Sequence, residues 1–285
     1  MPERVLLTGA TGFVGRAVVA PLRAAGVEVH AVSGRDADLL DEATVRALLR
    51  EVRPSIVLHG AWYVGHGKFW TAPENEDWLE ASIAFAHAFV ELGGRRFIGV
   101  GTCAEYAEMA GADDDPWPET RTIAPVTLYG RAKAECAARL AALPIATAWA
   151  RLFHMFGEGE HPDRLVPAVA RALIEGREAR CASGRPVRDF ASTRFIGEAL
   201  AALTLSPATG PVNIASGEGR AIADVARFLG VAAGRLDLVR LGALPDRPNE
   251  VPHMVADLTR LRRDVGFTAP SHVEADLRAF LAALR

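Results

Sequence analysis

Short, wholly apolar runs alternate with longer amphipathic stretches over the first half of the chain. Val5-Leu6-Leu7, Val27 to Val32, Ile56-Val57-Leu58, Phe97 to Val100 and Ile145 to Leu152 read as strands. Between them, Gly12 to Ala25, Asp41 to Glu51, Glu76 to Leu92 and Pro125 to Leu143 read as helices. Gly26 stops the first helix, Asp41 is placed to cap the second, and Gly93-Gly94 stops the third. Strands that lack a polar alternate are those of a parallel sheet covered on both faces. Regular alternation of this kind predicts an α/β fold with a doubly wound parallel sheet.

After about Phe153 the pattern loosens. Gly157 to Asp163 is a polar loop, Leu165 to Glu175 a helix, and Arg188-Asp189-Phe190 leads into a helix through Leu205. Val212-Asn213-Ile214 is a short strand, Pro245 to Pro252 is irregular, and Asp257 is placed to cap a short helix through Val265. This divides the chain into a nucleotide-binding Rossmann domain over 1–160, with 187–206 packing back onto it, and a smaller C-terminal α+β lobe. That lobe, 161–186 and 207–285, would hold the substrate. A chain of 285 residues is long enough for both.

Composition narrows the partners. The net charge of −3 gives no reason to expect nucleic acid or an anionic membrane. No apolar run approaches the length of a membrane span, and a strand begins almost at the N-terminus, so neither a transmembrane helix nor a signal peptide is expected. Cys103, Cys136 and Cys181 are odd in number and scattered; they predict free thiols in a reducing cytoplasm and no metal site. Lys68 and Lys133 are the only lysines beside many arginines. A compact, titratable ammonium is not replaceable by guanidinium, so both positions invite a functional reading, with Lys68 read as a surface residue.

Two motifs carry the chemistry. Thr8-Gly9-Ala10-Thr11-Gly12-Phe13-Val14-Gly15 joins the first strand to the first helix. Glycines 9, 12 and 15 permit a tight turn, let backbone amides approach a pyrophosphate and let the helix pack closely. The helix N-terminus adds its positive end. Gly9, Thr11, Gly12, Phe13, Val14 and Gly15 are therefore cofactor-binding candidates. At the end of the second strand, where NAD binders place an acid for the ribose, stands Ser33-Gly34-Arg35. A hydroxyl and a guanidinium suit a 2′-phosphate, which favours NADP, with NAD the alternative. Asp38 and Leu39 are placed to meet the adenine. The second motif is Tyr129-Gly130-Arg131-Ala132-Lys133, which puts a phenol and an ammonium on one helical face. The ammonium is expected to lower the phenol's pKa and to hold the nicotinamide ribose. Thr102, at the end of the fourth strand, is the expected donor to a substrate oxygen, and Cys103 beside it is the neighbouring candidate, read chiefly as packing.

These pieces together resemble the extended short-chain dehydrogenase/reductase family of nucleotide-sugar epimerases, dehydratases and ketoreductases. The resemblance covers nearly the whole chain. It implies that Thr102, Tyr129 and Lys133 are catalytic and that His59, Gly60 and Ala61 lie beside the cofactor. Ala150-Arg151-Leu152-Phe153 and Gly157-Glu158-Gly159 look like the segment after the family's next strand, and Asn213 to Gly217 like a later one. Arg188 of Arg188-Asp189-Phe190, together with Arg247 and Arg164, would bind a nucleoside-diphosphate sugar. By the same resemblance the helices at Glu76 to Leu92 and around Tyr129 would form a homodimer.

Departures from the family narrow the reaction. Sugar 4,6-dehydratases carry Asp-Glu directly after the catalytic Thr, where this chain has Cys103-Ala104, with Glu105 one position off. The added cysteine of the 3,5-epimerase/reductases would fall at Ala104. What remains is NADPH-dependent reduction of a 4-keto nucleotide sugar, with 4-epimerisation on tightly bound NAD as the alternative. A non-catalytic cofactor sensor is a third reading, which the Tyr129/Lys133 pair and Thr102 argue against. Trp62, Tyr63, His66 and Tyr106 read as half-buried packing groups near the active edge, and His154 and His161 as solvated loop histidines.

Overall fold

The computed structural model describes residues 3–108, 114–248 and 250–285. In the first half, β1 (Arg4–Thr8), α1 (Gly15–Ala24), β2 (Glu28–Val32), α2 (Glu42–Val52), β3 (Ile56–His59), α3 (Glu74–Glu91), β4 (Arg96–Thr102), α4 (Leu128–Ala141) and β5 (Ala146–Leu152) follow the predicted alternation. A single-turn helix, Cys103–Glu105, continues directly from β4. Thereafter come β6 (His154–Phe156), α5 (Leu165–Ile174), β7 (Ala179–Arg180), β8 (Val187–Ser192), α6 (Thr193–Leu205), β9 (Gly210–Ile214), β10 (Gly219–Ala221), α7 (Ile222–Ala233), β11 (Val239–Arg240), β12 (His253–Met254), α8 (Thr259–Arg263) and α9 (Val273–Ala283).

The main sheet runs β2-β1-β3-β4-β5-β9, and every pairing in it is parallel. This is the doubly wound fold read from the apolar runs. Val5, Leu6, Leu7, Val57, Leu58, Phe97 and Ile98 are sealed from solvent because helices cover both faces. From β1 the chain steps outward to β2, then returns to β3 on the other side of β1. That reversal opens a crevice at the C-terminal ends of β1 and β3. Asp41 caps α2 by accepting from Thr44 N at 2.9 Å, as its position predicts. Asp257, by contrast, accepts from Thr259 N at 2.6 Å but stands one residue outside the cap of α8, which is Leu258.

One boundary differs from the sequence reading. Residues 210–214, expected in the smaller lobe, form the edge strand of the main sheet against β5, with Leu152 opposite Ile214. The chain returns to the sheet after α6, and Val212 and Ile214 are buried there beside Ala150 and Leu152. The smaller lobe is built on β8, flanked by β10 and β12 and joined by β6. Phe156, Val169, Phe190, Val225, Leu229 and Leu277 form its core, largely contributed by α5, α7 and α9. Helices α7 and α9 were not assigned from sequence.

Asp189 binds the lobe's strands together. Its carboxylate accepts from Ser216 N (2.8 Å), Ser216 Oγ (2.5 Å), Gly217 N (2.9 Å) and Ala256 N (3.2 Å). No helix of the described residues is long and apolar enough to cross a membrane.

Candidate active site

The crevice at the end of β1 is floored by the glycine turn. Gly9 has φ +69°, and a Cβ there would lie 2.8 Å from Ala61 N, so only glycine both turns and fits. A Cβ on Gly15 would collide with the Gly9 carbonyl, so α1 starts hard against the turn. The turn is closed by Gly12 N donating to Gly9 O at 2.9 Å. Arg16 reaches back from α1 to the carbonyls of Thr11 (3.1 Å) and Gly12 (3.3 Å). A backbone cradle that admits no side chain, at the positive end of a helix, fits a dinucleotide pyrophosphate.

The surroundings of this cradle amend several cofactor assignments. His59 is buried and shares its ring nitrogens with Thr8 Oγ1 (2.8 Å) and Ser82 Oγ (2.9 Å). Ser82 Oγ donates to Trp78 O at 2.6 Å, so it accepts from His59 Nε2–H, and His59 Nδ1 accepts from Thr8. Burial, aided by Lys133, drives the His59 pKa down to about 3. Its side chain is a neutral tie between β1, β3 and α3 and has no valence left for a cofactor. The backbone of Gly60 and Ala61 packs directly against Gly9. Leu39, expected at the adenine, is buried in the core with Val32, Ala37 and Val45, whereas Asp38 is exposed and accepts from Leu40 N. The Ser33 hydroxyl donates to Asp36 Oδ2 at 2.6 Å, and Ser33 N donates to the same oxygen at 2.7 Å. Those two bonds hold the Asp36 carboxyl below its ordinary range. An anion therefore stands at the end of β2 that the sequence reading missed, next to the exposed Arg35.

At the end of β4, Thr102 heads the one-turn helix. Its Oγ1 accepts from Ala104 N at 3.2 Å, which leaves its hydroxyl proton free to donate. The backbone N–H of Thr102 donates to Glu105 Oε1 at 2.8 Å. Glu105 is fully buried and also accepts from Trp149 Nε1 (2.8 Å) and Arg151 Nε (2.7 Å). Arg151 Nη1 continues to Tyr106 Oη and Glu119 O, both at 3.2 Å, and Tyr106 Oη donates to Asn213 Oδ1 at 2.6 Å. Tyr106, read as half-buried, is wholly inside this network. The Trp149 indole nitrogen and Glu105 Oε1 both lie against Gly101, where a Cβ would displace them. Glu105 is thus not a misplaced acid for eliminating water; it anchors the turn that presents Thr102.

Tyr129 lies opposite, in the first turn of α4. Thr127 caps that helix by accepting from Gly130 N at 3.0 Å. The phenol ring is edged by Phe69 (4.9 Å) and Trp70 (5.8 Å), and Tyr129 N donates to Trp70 O at 3.1 Å, so the loop after β3 encloses it. Burial pushes the Tyr129 pKa well above the ordinary phenol value, the Glu105 charge adds to this, and the Thr102 hydroxyl opposes it. The expected lowering by Lys133 is absent. Lys133 Nζ donates to Val100 O at 2.7 Å and lies 3.6 Å over the Trp62 ring, against 6.0 Å from the Tyr129 ring. Burial brings the Lys133 pKa down to about 8. Trp62, also buried, is held by Nε1 donating to Asn75 Oδ1 at 2.9 Å. The helical spacing pairs Tyr129 and Lys133 on one face, but the ammonium turns toward the sheet.

The smaller lobe supplies the other wall. Arg188 is buried and donates to Val187 O (2.8 Å) and Glu250 Oε1 (3.0 Å). Strand β8, which carries Arg188, pairs with β6 so that His154 lies opposite Phe190, and Arg164 stands at the start of α5. Cys103, directly after Thr102, is partly buried, and burial pushes its thiol up to about 12. His154 is not a solvated loop residue: it sits in β6, its Nδ1 is buried without a hydrogen-bond partner among the described residues, and burial holds it neutral with a pKa of about 3. Glu160 has a buried Oε2 that is likewise unpartnered among the described residues, and burial raises its pKa to about 8. Arg247 is exposed.

A doubly wound sheet with a backbone cradle at its reversal point, facing a Thr, Tyr and Lys cluster, defines an enzyme that works with a nicotinamide dinucleotide. The NAD dependent epimerase/dehydratase family matches residues 5–215, and the chain belongs to that family. Among curated proteins it is similar to a dTDP-4-dehydro-6-deoxy-D-allose reductase from Streptomyces bikiniensis, 26% identical over 92% of this chain and 90% of that one. It is also similar to a probable dTDP-4,6-dihydroxy-2-methyloxan-3-one 4-ketoreductase from Streptomyces antibioticus, 32% identical over 62% of this chain and 57% of the relative. Among solved structures, the UDP-glucose 4-epimerase of Thermus thermophilus in complex with NAD superposes with a TM-score of 0.86 at 22% identity, covering 98% of each chain. The Thermotoga maritima UDP-glucose 4-epimerase gives 0.87 at 20% identity, covering 99% of each. At that identity the likeness is one of fold.

Proposed function

We propose that this protein reduces a 4-keto nucleoside-diphosphate sugar, with NADPH as reductant. The observation that carries this reading is the commitment of Glu105 to Trp149 and Arg151, which leaves hydroxyl groups, and no free acid, at the end of β4 and the start of α4. The Tyr129 phenol holds its proton at neutral pH, as phenols do, and is the group that can give it up. The bound nicotinamide would supply hydride to the carbonyl carbon. Tyr129 gives the carbonyl oxygen its proton, and the free hydroxyl proton of Thr102 hydrogen-bonds the same oxygen as charge develops on it. Lys133, whose Nζ donates to Val100 O, would hold the nicotinamide ribose. Arg188 and Arg164 bind the diphosphate of the substrate, with Cys103 packing beside it and Arg247 closing from the lobe's irregular segment. Glu105 is committed to Arg151 and Trp149, so no free acid follows Thr102 to expel water. The names of similar curated proteins, reductases of dTDP-linked keto sugars, support the substrate class. Arg35, exposed at the end of β2, supports NADPH through the 2′-phosphate, whereas the Ser33 hydroxyl is spent on Asp36. The reading includes a cytoplasmic homodimer joined through α3 and α4.

A second reading has one observation in its favour. Asp36, an anion at the end of β2, suits a ribose diol and opposes a 2′-phosphate, which favours bound NAD and 4-epimerisation. Mixing the purified chain with NADPH or NADH and a dTDP-4-keto-6-deoxy sugar separates the two. Consumption of NADPH with formation of the 4-hydroxy sugar supports the reductase. Retained NAD with no consumption of reduced cofactor, and interconversion of 4-epimers, overturns it.

A further inference from the structure

Outside the reaction crevice, one cluster of ligand-bearing side chains has no role in the chemistry above. His66 lies on the loop after β3, and His161 on the loop between β6 and α5. Their imidazoles stack face to face, with centroids 3.8 Å apart and planes 7° from parallel. Asp163 adds a carboxylate whose Oδ2 is 3.7 Å from His161 Nδ1. One donor atom from each of the three residues falls within 4.8 Å of the others, and all three side chains are exposed.

We propose that His66, His161 and Asp163 bind a divalent transition-metal ion of the zinc or nickel type, which straps two loops together over the mouth of the cofactor crevice. Two imidazoles and one carboxylate are a donor set for borderline metals, with water completing a tetrahedron. Metal–nitrogen bonds of about 2.0–2.1 Å place two ligand atoms of a tetrahedral site roughly 3.4 Å apart. Exposed side chains reach that spacing from the present separation by rotating about their own bonds, which turns the stacked rings so that their lone pairs converge.

The position gives the site its consequence. His66 follows the strand that borders the reversal point of the sheet. The His161 loop rests on the phosphate turn: a Cβ on Gly159 would lie 2.6 Å from Arg16 Nη1, and Arg16 itself binds the carbonyls of Thr11 and Gly12. A bridge between these loops spans the exit from the glycine cradle. The cysteine pattern pointed to no metal because the ligands here are imidazoles 95 positions apart in the chain, brought together only by the fold.

Titration of the full, tag-free, chelator-treated chain with zinc chloride, followed by calorimetry, tests the site without requiring turnover, so its failure is distinct from failure of the reductase reading. One zinc per chain is expected, with affinity reduced at least tenfold in His66→Ala and in His161→Ala and unchanged in His87→Ala, an exposed histidine on α3. Release of NADPH, followed by its fluorescence, is expected to slow severalfold when zinc is added to the wild type and not when it is added to His161→Ala. No zinc binding, or equal binding by the wild type and both variants, overturns the site. Unchanged NADPH release by zinc-loaded wild type overturns its action as a strap.

Discussion

Glu105 Oε2 lies 2.7 Å from Arg151 Nε, and the two side chains are 0% and 6% exposed. One is on the turn that carries Thr102 and the other on β5, so the ion pair fixes the position of the Thr102 turn against the neighbouring strand.

Replacing Glu105 by Ala leaves the Arg151 charge buried without its partner, a change that typically costs about 3 to 5 kcal/mol. Glu105→Gln keeps an acceptor for Thr102 N–H and Trp149 Nε1 but removes the charge. Urea denaturation is expected to show a large loss for the Ala variant and a smaller one for Gln. Turnover in Glu105→Gln should fall with little change in substrate KM, because the turn carrying Thr102 loses its ion pair to β5 while the arginines proposed to hold the diphosphate remain.

Tyr129→Phe removes the proposed proton donor and keeps the ring between Phe69 and Trp70. Turnover should fall by roughly 10² to 10⁴, the usual worth of a positioned acid. NADPH binding, measured by fluorescence, should stay within a factor of two or so of the wild type. Retained turnover would contradict the assigned role.

Glu160 imposes a pH dependence on stability. Its folded pKa of about 8 exceeds the ordinary 4.5, so between those values the folded state binds more protons than the unfolded state. Its contribution to stability is therefore fully present below pH 4.5 and is lost as pH rises toward 8. His59 and His154, pushed to about 3, act oppositely below their ordinary 6.5, so the comparison to make is between wild type and Glu160→Gln. The wild-type advantage in melting temperature, relative to this variant, should shrink from pH 5 to pH 8.

In the proposed reading, Arg35 and Asp36 bear on the cofactor choice in opposite senses. Arg35→Ala should raise the KM for NADPH by roughly tenfold, the worth of one charge-assisted hydrogen bond, and leave that for NADH nearly unchanged. Asp36→Asn should lower the KM for NADPH. Steady-state rates with each cofactor check both.

Some of this protein is written locally and was legible at once. Apolar runs such as Val5 to Leu7 and Ile56 to Leu58 record burial on both faces, so the doubly wound sheet follows from them. The Gly9 to Gly15 turn and the Tyr129/Lys133 spacing are local too, and their neighbours in sequence are their neighbours in space. Helices α7 and α9 were equally local, with buried Val225 and Leu229, and Val273 and Leu277, each four apart, but their alanine-rich surroundings blurred the polar face.

Strand order and the long-range pairings it creates are different. Amino-acid pattern states that Val212 and Ile214 want burial, not that β9 finds it beside β5. Nor does it tell that Glu105 meets Arg151 from 46 positions away, that His59 spends both nitrogens on Thr8 and Ser82, or that Lys133 turns to Val100 and Trp62. A side chain's partner, and hence its charge and freedom to react, depends on which elements lie side by side. The sequence by itself determined the sheet, the cradle and the candidate trio of Thr102, Tyr129 and Lys133; only the tertiary structure decided which polar groups were spent on the scaffold and which were left unpaired, because burial and pairing are set by contacts between distant segments.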